Sequence, residues 1–321
     1  MEIFFHLYSE PMAETFQPLF AGGSGRSGTT IAVNLLNQHS KVHTSLPREI
    51  KYLTSRGGLI DLVYGRPLHI EESSRAKYKN LLARVLPITG KDKITYFQKN
   101  LHGWWWSEVG KKGKPRGLVQ GISEESLSQA EAKFIKELKV NPESAARNLF
   151  YELSTSQIKR QGIEYFADST PVNMMQANYL YRLFPNALFL NMVRDGRDVA
   201  YSVAHEKWGP SDPHTALDWW ANRVLKAEQA LVSVPANQRV TLRLEDLVVR
   251  DRENSLEIIL GLLGISPEEK LKAFFDLELT EEKLNQGKWK KELENPTNFE
   301  KKYLKILDKL KDQGVVVERF Y

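Results

Sequence analysis

One glycine-rich segment, residues 17–36, constrains the fold more than any other part of the chain. Residues 19–21 are short and apolar, as in a buried strand, and from Ala32 onward apolar residues recur with the spacing of a helix. Between them stand four glycines: Gly22, Gly23, Gly25 and Gly28. The pattern predicts a strand, a glycine turn and a helix whose first backbone N–H groups can bind an anion.

The side chains inside this turn favour a phosphate site over an ordinary connection. Arg26 adds a fixed positive charge, and three hydroxyl donors surround it: Ser27, Thr29 and Thr30. Anion-binding loops combine these features with backbone amides at a helix start. We therefore predict that the turn holds a phosphate-like group.

Two familiar nucleotide patterns overlap in this loop. Gly23-x-Gly25-x-x-Gly28 matches the dinucleotide fingerprint, and Glu49 lies at a suitable distance downstream for a ribose contact. The pair Gly23 and Gly28 also begins a Walker A loop, but Thr29 stands where the lysine of that motif belongs. The loop by itself leaves both possibilities open.

The bulk properties describe an ordinary globular chain of 321 residues, 41% hydrophobic and 26% charged. The absence of cysteine excludes disulfides and thiolate chemistry. The longest apolar run, residues 258–265, is too short to span a bilayer, and residues 1–8 lack the features of a signal peptide, so we predict a cytoplasmic protein. The net charge of +5 suits anionic ligands but is too diffuse to indicate nucleic acid.

Strands alternate with helices along the chain, which predicts an α/β fold: a central parallel sheet with helices on both faces. We place the later strands at residues 41–45, 163–168, 187–193 and 239–244. We place helices at residues 71–86, 173–184, 196–206, 214–232, 256–265 and 299–311. No linker divides the chain, and ligands of such folds bind at the carboxyl ends of the strands.

Residues 102–122 differ in composition from their surroundings, with three tryptophans and four glycines. One interpretation is a lid or substrate-binding insertion in which Trp104 and Trp105 contact the substrate. The other is that these tryptophans anchor the core. The sequence leaves both open.

A second anion site is predicted directly after the strand at residues 187–193. Arg194 ends that strand, and Ser202 follows eight residues later, so both can face the same way from the start of a helix. Asp195 and Asp198 fit a helix cap and a first-turn acid. We therefore expect a second anion clamp, separate from the glycine loop.

Taken together, four segments resemble those of the 3′-phosphoadenosine 5′-phosphosulfate (PAPS)-dependent sulfotransferases, in the same order along the chain. The resemblance is closest to the bacterial and tyrosylprotein-sulfotransferase-like branch. It implies one P-loop-like α/β domain over residues 1–321, a PAPS donor and the product adenosine 3′,5′-bisphosphate. The donor-binding residues it implies are Gly25, Arg26, Ser27, Gly28, Thr29 and Thr30 for the 5′-phosphosulfate, Arg194 and Ser202 for the 3′-phosphate, and Gly287, Lys288, Trp289 and Lys290 near the 3′-phosphate. The fourth segment, Glu245-Asp246-Leu247 with the helix at residues 256–265, resembles the family's Tyr-Glu-Asp-Leu segment.

The resemblance also implies a reaction: in-line transfer of a sulfuryl group to a hydroxyl acceptor, without a metal. Arg26 would stabilise the developing charge, and Glu49 would act as the base, with His205 and His102 as weaker candidates. Arg48 would orient Glu49 or bind the sulfonate. The alternatives are an NAD-dependent oxidoreductase, a P-loop phosphotransferase and a non-catalytic nucleotide-binding module.

Two positions depart from the family pattern. Ser169 lies in a segment where many relatives carry a lysine, so Arg26 or Asp168 would take over part of its task at the leaving oxygen. Leu244 replaces the usual tyrosine, and Trp289 could stack on adenine instead or pack in the core. The sequence identifies neither the acceptor nor the oligomeric state.

Overall fold

The computed structural model describes residues 16–65, 90–110 and 113–320. The helix predicted at residues 71–86 and the N-terminal residues 1–8 lie outside these ranges. In the described part of the chain, no helix combines the length and the apolar character needed to cross a membrane.

Five parallel strands form one sheet at the centre of the fold, in the order β2-β3-β1-β4-β5. The strands are β1 (Gln17–Gly23), β2 (Val42–Thr44), β3 (Tyr165–Asp168), β4 (Leu188–Val193) and β5 (Arg239–Arg243). All five predicted strands are confirmed to within a few residues. Parallel strands need crossover connections, and the helices supply them.

The helices in the described ranges are α1 (Thr29–Leu36), α2 (Lys51–Thr54), α3 (Leu59–Tyr64), α4 (Gly90–His102), α5 (Trp104–Ser107), α6 (Glu124–Glu137), α7 (Pro142–Thr155), α8 (Ala177–Leu183), α9 (Gly196–Ala204), α10 (Pro213–Leu231), α11 (Arg252–Leu263), α12 (Glu269–Glu278), α13 (Glu281–Leu284), α14 (Lys288–Glu292) and α15 (Pro296–Asp312). Short 3-10 turns occur at Leu118–Gln120, Pro171–Gln176, Ala236–Gln238 and Val317–Phe320, and a π-helical turn occurs at Asp246–Arg250. The predicted helix at residues 173–184 is thus a 3-10 turn followed by α8.

Both faces of the sheet are covered, as the alternation of side chains along β1 illustrates. The ring of Phe20 packs against Phe184 and Phe189, with centroid distances of 5.6 and 5.7 Å. Leu19 and Ala21 point to the opposite face and join the core cluster that contains the buried side of α1. Successive strand residues face opposite ways, so each face needs its own helical layer. The predicted α/β class is confirmed.

The strand order determines where a ligand can bind. The chain leaves β1 toward β2 and leaves β4 toward β5, although β1 and β4 are direct neighbours. The loops after these two strands therefore diverge and open a crevice at the carboxyl edge of the sheet. This crevice lies between the two predicted anion sites.

Residues 102–110 and 113–122 contain more regular secondary structure than the predicted surface loop. They contain α5, an isolated antiparallel bridge between Val109 and Pro115, and a 3-10 turn. Trp105 is 2% exposed, and its ring lies 5.7 Å from that of Phe97 in the core. The prediction that Trp105 contacts the substrate is corrected accordingly, because its indole is covered by apolar side chains. Trp104 is 47% exposed.

The close packing at the end of β1 can be tested with a substitution at Gly23 and a control substitution at Gly261. A Cβ atom at Gly23 would lie 2.2 Å from the Met192 backbone oxygen and 2.5 Å from Ser27 Oγ, so we expect Gly23→Ala to lower the free energy of unfolding by about 1–3 kcal/mol. Gly261 is the matched control, because it lies in α11 with open space around it, and Gly261→Ala should leave stability unchanged or raise it slightly. Denaturant titration measures both. Equal effects of the two substitutions would contradict the close packing at Gly23.

Candidate active site

Arg26 occupies the centre of the crevice. It follows β1 in a left-handed conformation, with φ of 58°, between Gly25 at φ 87° and Gly28 at φ 92°. Left-handed backbone is uncommon for a residue other than glycine and clusters at functional positions. The Arg26 side chain is exposed, and its Nε donates a hydrogen bond of 2.9 Å to Ser202 Oγ on α9.

Arg194 contacts the backbone of Arg26 from the end of β4. Its guanidinium is buried at the end of β4, and Nη1 donates to the Arg26 carbonyl oxygen over 3.2 Å. Nη2 donates to the carbonyl oxygens of Leu284 and Asn285 at 2.8 and 3.2 Å. The sequence predicted two separate anion sites, but both meet at Arg26, so the side chains form one continuous cationic site.

The start of α1 completes the glycine loop. Gly28 is its N-cap residue, and no side chain caps its first N–H groups. The Ser27 side chain is fully buried, with Oγ turned toward Gly23 beneath the loop, so its backbone N–H is the group it can offer an anion. Thr29 is buried and Thr30 is exposed. Arg26 and this helix start form a concentration of positive charge and donors.

The late segment Gly287–Lys290 is joined to α9 by its backbone. The Gly287 N–H donates to Asp198 Oδ1 over 2.8 Å. Burial and the neighbouring Asp195 carboxylate raise the pKa of Asp198 to about 6, against the opposing effects of the Gly287 hydrogen bond and of Arg194. Lys288 and Lys290 are exposed on either side of Trp289.

Trp289 belongs to the core. Its indole is 2% exposed, with the Phe299 ring 5.7 Å away and the Arg197 guanidinium 5.0 Å from its centroid. The suggestion that Trp289 stacks on adenine is therefore corrected: both ring faces are packed against the protein. Its role is to fix the helix that begins directly after Gly287.

A buried ion pair joins the carboxyl ends of β4 and β5. Glu245 accepts a hydrogen bond from the Asp195 N–H over 3.0 Å, and its second oxygen pairs with Arg243 Nε, also at 3.0 Å. Leu244, where the resemblance implies a tyrosine, packs on the loop: a Cβ atom at Gly28 would lie 2.5 Å from its Cδ1. The segment after β5 thus contacts both the glycine loop and the start of α9, where the sequence predicts the anion sites.

Arg48 and Glu49 are exposed, and the end of β3 fixes their backbone. The Arg48 carbonyl oxygen accepts hydrogen bonds from the Ser169 N–H at 2.9 Å and from Ser169 Oγ at 3.0 Å. Ser169, where relatives have lysine, is thus a backbone anchor. The N–H of Ile50 donates to Asp168 Oδ1 over 3.0 Å.

Asp168 is occupied structurally and does not face the crevice. Its carboxylate is 1% exposed and accepts from Ile50, from the Thr170 N–H and hydroxyl, and from Asn173 Nδ2 at 2.7 Å. Burial raises its pKa to about 6, while hydrogen bonds from Asn173, Thr170 and Ile50 act in the opposite direction. The suggested role of Asp168 at a leaving oxygen is corrected, because its oxygens are already engaged.

Trp104 lies beside the segment that carries Glu49. The Lys51 ammonium is 4.8 Å from the centroid of the Trp104 ring and forms an ion pair with Glu108. The Trp104 indole N–H donates to Asn100 Oδ1 over 2.8 Å. Trp104 thus remains a candidate for contact with an acceptor, whereas Trp105 does not.

The histidines considered as alternatives have structural partners. His102 pairs with Glu131 at 2.6 Å, and His205 Nδ1 donates to the Tyr201 carbonyl oxygen at 2.8 Å. His39 Nε2 lies 2.9 Å from the Ser266 carbonyl oxygen. Within the described ranges, no three histidine or carboxylate side chains are grouped so that they could hold a metal.

Comparison with known proteins decides the class. A model of the sulfotransferase family matches residues 97–269, which is more than half of the chain. The chain belongs to the sulfotransferase family. The matched region includes Arg194 and Ser202 but neither the Gly25–Thr30 loop nor Glu49, and the assignments at all of these positions stay predictions.

The relatives found for this member of the family are distant. Protein-tyrosine sulfotransferase 2 of Gallus gallus is 26% identical over 166 residues, which are 50% of this chain and 40% of that protein. The sulfotransferase domain of the Synechococcus PCC 7002 olefin synthase has a TM-score of 0.46 at 17% identity, covering 83% of this chain and 80% of that one. The sulfotransferase domain of the curacin biosynthetic pathway has a TM-score of 0.47 at 15% identity, with 81% and 77% covered. The chain spans less than half of the tyrosine sulfotransferase.

Several residues at the candidate site carried no recognisable sequence signal. Asn285 adopts φ of 52° and presents its carbonyl to Arg194. Trp208 and Trp219 border Gly25, although neither belongs to a predicted motif. Only the three-dimensional arrangement brings these residues to the crevice.

Asp168 gives a pH-dependent prediction. Because its pKa is raised from 3.8 to about 6, the native protein binds this proton more tightly than the unfolded chain. The free energy of unfolding should therefore fall, through this group, as the pH rises from about 4 to about 6. Asp168→Asn removes the titration, so the stability advantage of the wild type over the variant should narrow across that interval. Urea titrations at pH 4.5, 5.5 and 7 measure it, and a widening difference would contradict the raised pKa.

Proposed function

We propose that this chain transfers a sulfuryl group from PAPS to a hydroxyl acceptor. The observation that carries the proposal is the meeting of Arg194, Arg26 and Ser202 where the loops after β1 and β4 diverge. A donor with phosphate groups at two ends requires cations and hydroxyls along one continuous site. A dinucleotide or nucleoside triphosphate would leave the Arg194 and Ser202 part of this site unexplained.

The residues present fit such a donor. The exposed Arg26 guanidinium and the uncapped start of α1 suit the 5′-phosphosulfate. Ser202 and the buried Arg194 suit the 3′-phosphate. Lys288 and Lys290 are exposed and follow Gly287, whose N–H donates to Asp198 on the same helix as Ser202. Arg194 Nε is buried and has no hydrogen-bond partner among the described residues, so this guanidinium has donor capacity left.

When bound, PAPS supplies a sulfuryl group: an S–O bond to the acceptor forms as the S–O bond to the bridging oxygen breaks, and the bisphosphate leaves with the electron pair. Arg26 and the first N–H groups of α1 stabilise the negative charge that develops on the bridging oxygen. Glu49 takes the acceptor proton, since its exposed carboxylate lies on a segment held by Asp168 and Ser169. Arg48 orients that carboxylate or contacts the sulfonate.

The donor assignment is tested by calorimetric titration with adenosine 3′,5′-bisphosphate, with ATP and NAD in parallel. We expect the bisphosphate alone to bind tightly. Ser202→Ala removes one hydroxyl and should weaken binding about 10-fold. Ser233→Ala is the control, because this exposed serine precedes β5 at the opposite edge of the sheet. Preferential binding of NAD or ATP would refute the PAPS assignment.

The base assignment is tested with Glu49→Gln, which keeps the size of the side chain but removes its ability to accept a proton. The turnover number should fall by about 10²–10⁴-fold while the dissociation constant of the bisphosphate stays unchanged. Glu124→Gln, at the exposed start of α6, serves as the control. An unchanged turnover number in Glu49→Gln would remove Glu49 from the mechanism. Bisphosphate binding without transfer to any acceptor in the wild type would favour a non-catalytic binding module.

A further inference from the structure

Two tryptophans stand beside the glycine loop. Trp208, between α9 and α10, is 48% exposed, and Trp219 on α10 is partly exposed. Their ring centroids are 5.8 Å apart, with an angle of 47° between the ring planes. We refer to these two residues as the tryptophan pair. A half-exposed tryptophan packed against a second one presents an aromatic surface to whatever occupies the adjoining space.

The tryptophan pair borders the loop directly at Gly25. A Cβ atom there would lie 3.7 Å from Trp208 Cη2, 3.8 Å from Trp219 Cη2 and 4.0 Å from Pro171 Cβ. The outer edges of both indoles therefore point toward the residue next to Arg26. A molecule that approaches Arg26 from this direction has to pass along the two rings.

This direction is the one from which an acceptor would come. Pro171 follows β3, and the preceding Ser169 anchors the backbone of Arg48 beside Glu49. Arg194 follows β4, on the other side of β1, and contacts Leu284 and Asn285 there. The tryptophan pair thus lies beside Pro171, in the loop after β3 that anchors the backbone next to Glu49.

The surrounding structure fixes the tryptophan pair in position. Gly209 is buried against Val203, where a Cβ atom would lie 2.3 Å from Val203 Cγ1, so the backbone after Trp208 is closely packed. Asp212 caps α10 through the N–H and hydroxyl of Thr215. The Arg223 guanidinium, one turn after Trp219, lies 4.5 Å from the centroid of its ring. Rings fixed in advance lose little freedom when a ligand binds.

Resting on the proposed function, we infer that the tryptophan pair binds the acceptor and that the acceptor is a phenol. The group that bears the hydroxyl must sit next to Arg26, where it contacts aromatic edges, and an aromatic ring can pack there in the offset or edge-to-face arrangements that aromatic pairs prefer. A phenol also loses its proton far more readily than an aliphatic alcohol, which suits a carboxylate base such as Glu49. The phenolic proton passes to Glu49 as the phenolic oxygen forms its bond to sulfur.

The test compares 4-propylphenol with 4-propylcyclohexanol at saturating PAPS. The wild type should prefer the phenol by at least about 10-fold in kcat/KM, and Trp208→Leu and Trp219→Leu should each raise its KM about 10-fold. Trp208→Phe should retain most of the preference, because it keeps an aromatic ring. Leu277→Ala is the control, because Leu277 is an exposed apolar residue on α12.

Calorimetry separates failure of this inference from failure of the proposed function. 4-Propylphenol should bind the complex of the protein with adenosine 3′,5′-bisphosphate. Trp208→Leu and Trp219→Leu should each weaken that binding while changing the affinity for the bisphosphate less than 2-fold. A 10-fold loss of bisphosphate affinity in either variant would assign the pair to the donor and overturn the inference. Equal turnover of the two acceptors would also overturn it. A wild type that does not bind the bisphosphate would refute the proposed function itself.

Discussion

The hydrogen bond from Arg194 to the Arg26 carbonyl oxygen is the contact on which the rest of the site depends. Arg26 adopts a left-handed conformation that costs a non-glycine residue about 1–2 kcal/mol. A buried guanidinium that donates to its carbonyl offsets this cost and directs the side chain toward Ser202. Without that contact, the energetic cost of the left-handed conformation at Arg26 would not be offset. The geometry of the predicted anion site therefore depends on a residue at the end of β4, one strand away from the loop itself.

A second constraint operates on the β3 side of the crevice. The buried Asp168 carboxylate joins the start of α2, the Thr170 turn and Asn173, while Ser169 holds the Arg48 carbonyl. Because these bonds engage backbone atoms, they fix the position of the Arg48–Glu49 segment and leave its side chains exposed. The chain uses buried polar residues to build the crevice and exposed ones to line it. The two positions that depart from the expected family pattern have such supporting roles: Ser169 anchors the Arg48 carbonyl oxygen, and Leu244 packs on the glycine loop.

The sheet and most helices could be predicted because their signals are local. The apolar run at residues 187–193 and the glycines after residue 21 are signals that lie within one short segment each. The observed strands β4 and β1 agree with the strands predicted from them. The side-chain assignments were less accurate where burial decides them. Adjacent tryptophans were indistinguishable in sequence, yet Trp105 is in the core and Trp104 is half exposed. Trp208 carried no motif at all, since its position depends on a loop anchored by contacts distant in sequence.

The contact between Leu244 and Gly28 has a consequence for how such chains can vary. The leucine side chain fills the space that any side chain at position 28 would need, and Gly28 has φ of 92°. Substitutions at positions 28 and 244 are therefore coupled. A larger residue at position 28 requires a smaller one at position 244, together with a change in the backbone conformation of the loop. Exchanging loops between members of this family should succeed only when the partner residue from the end of β5 is exchanged with them.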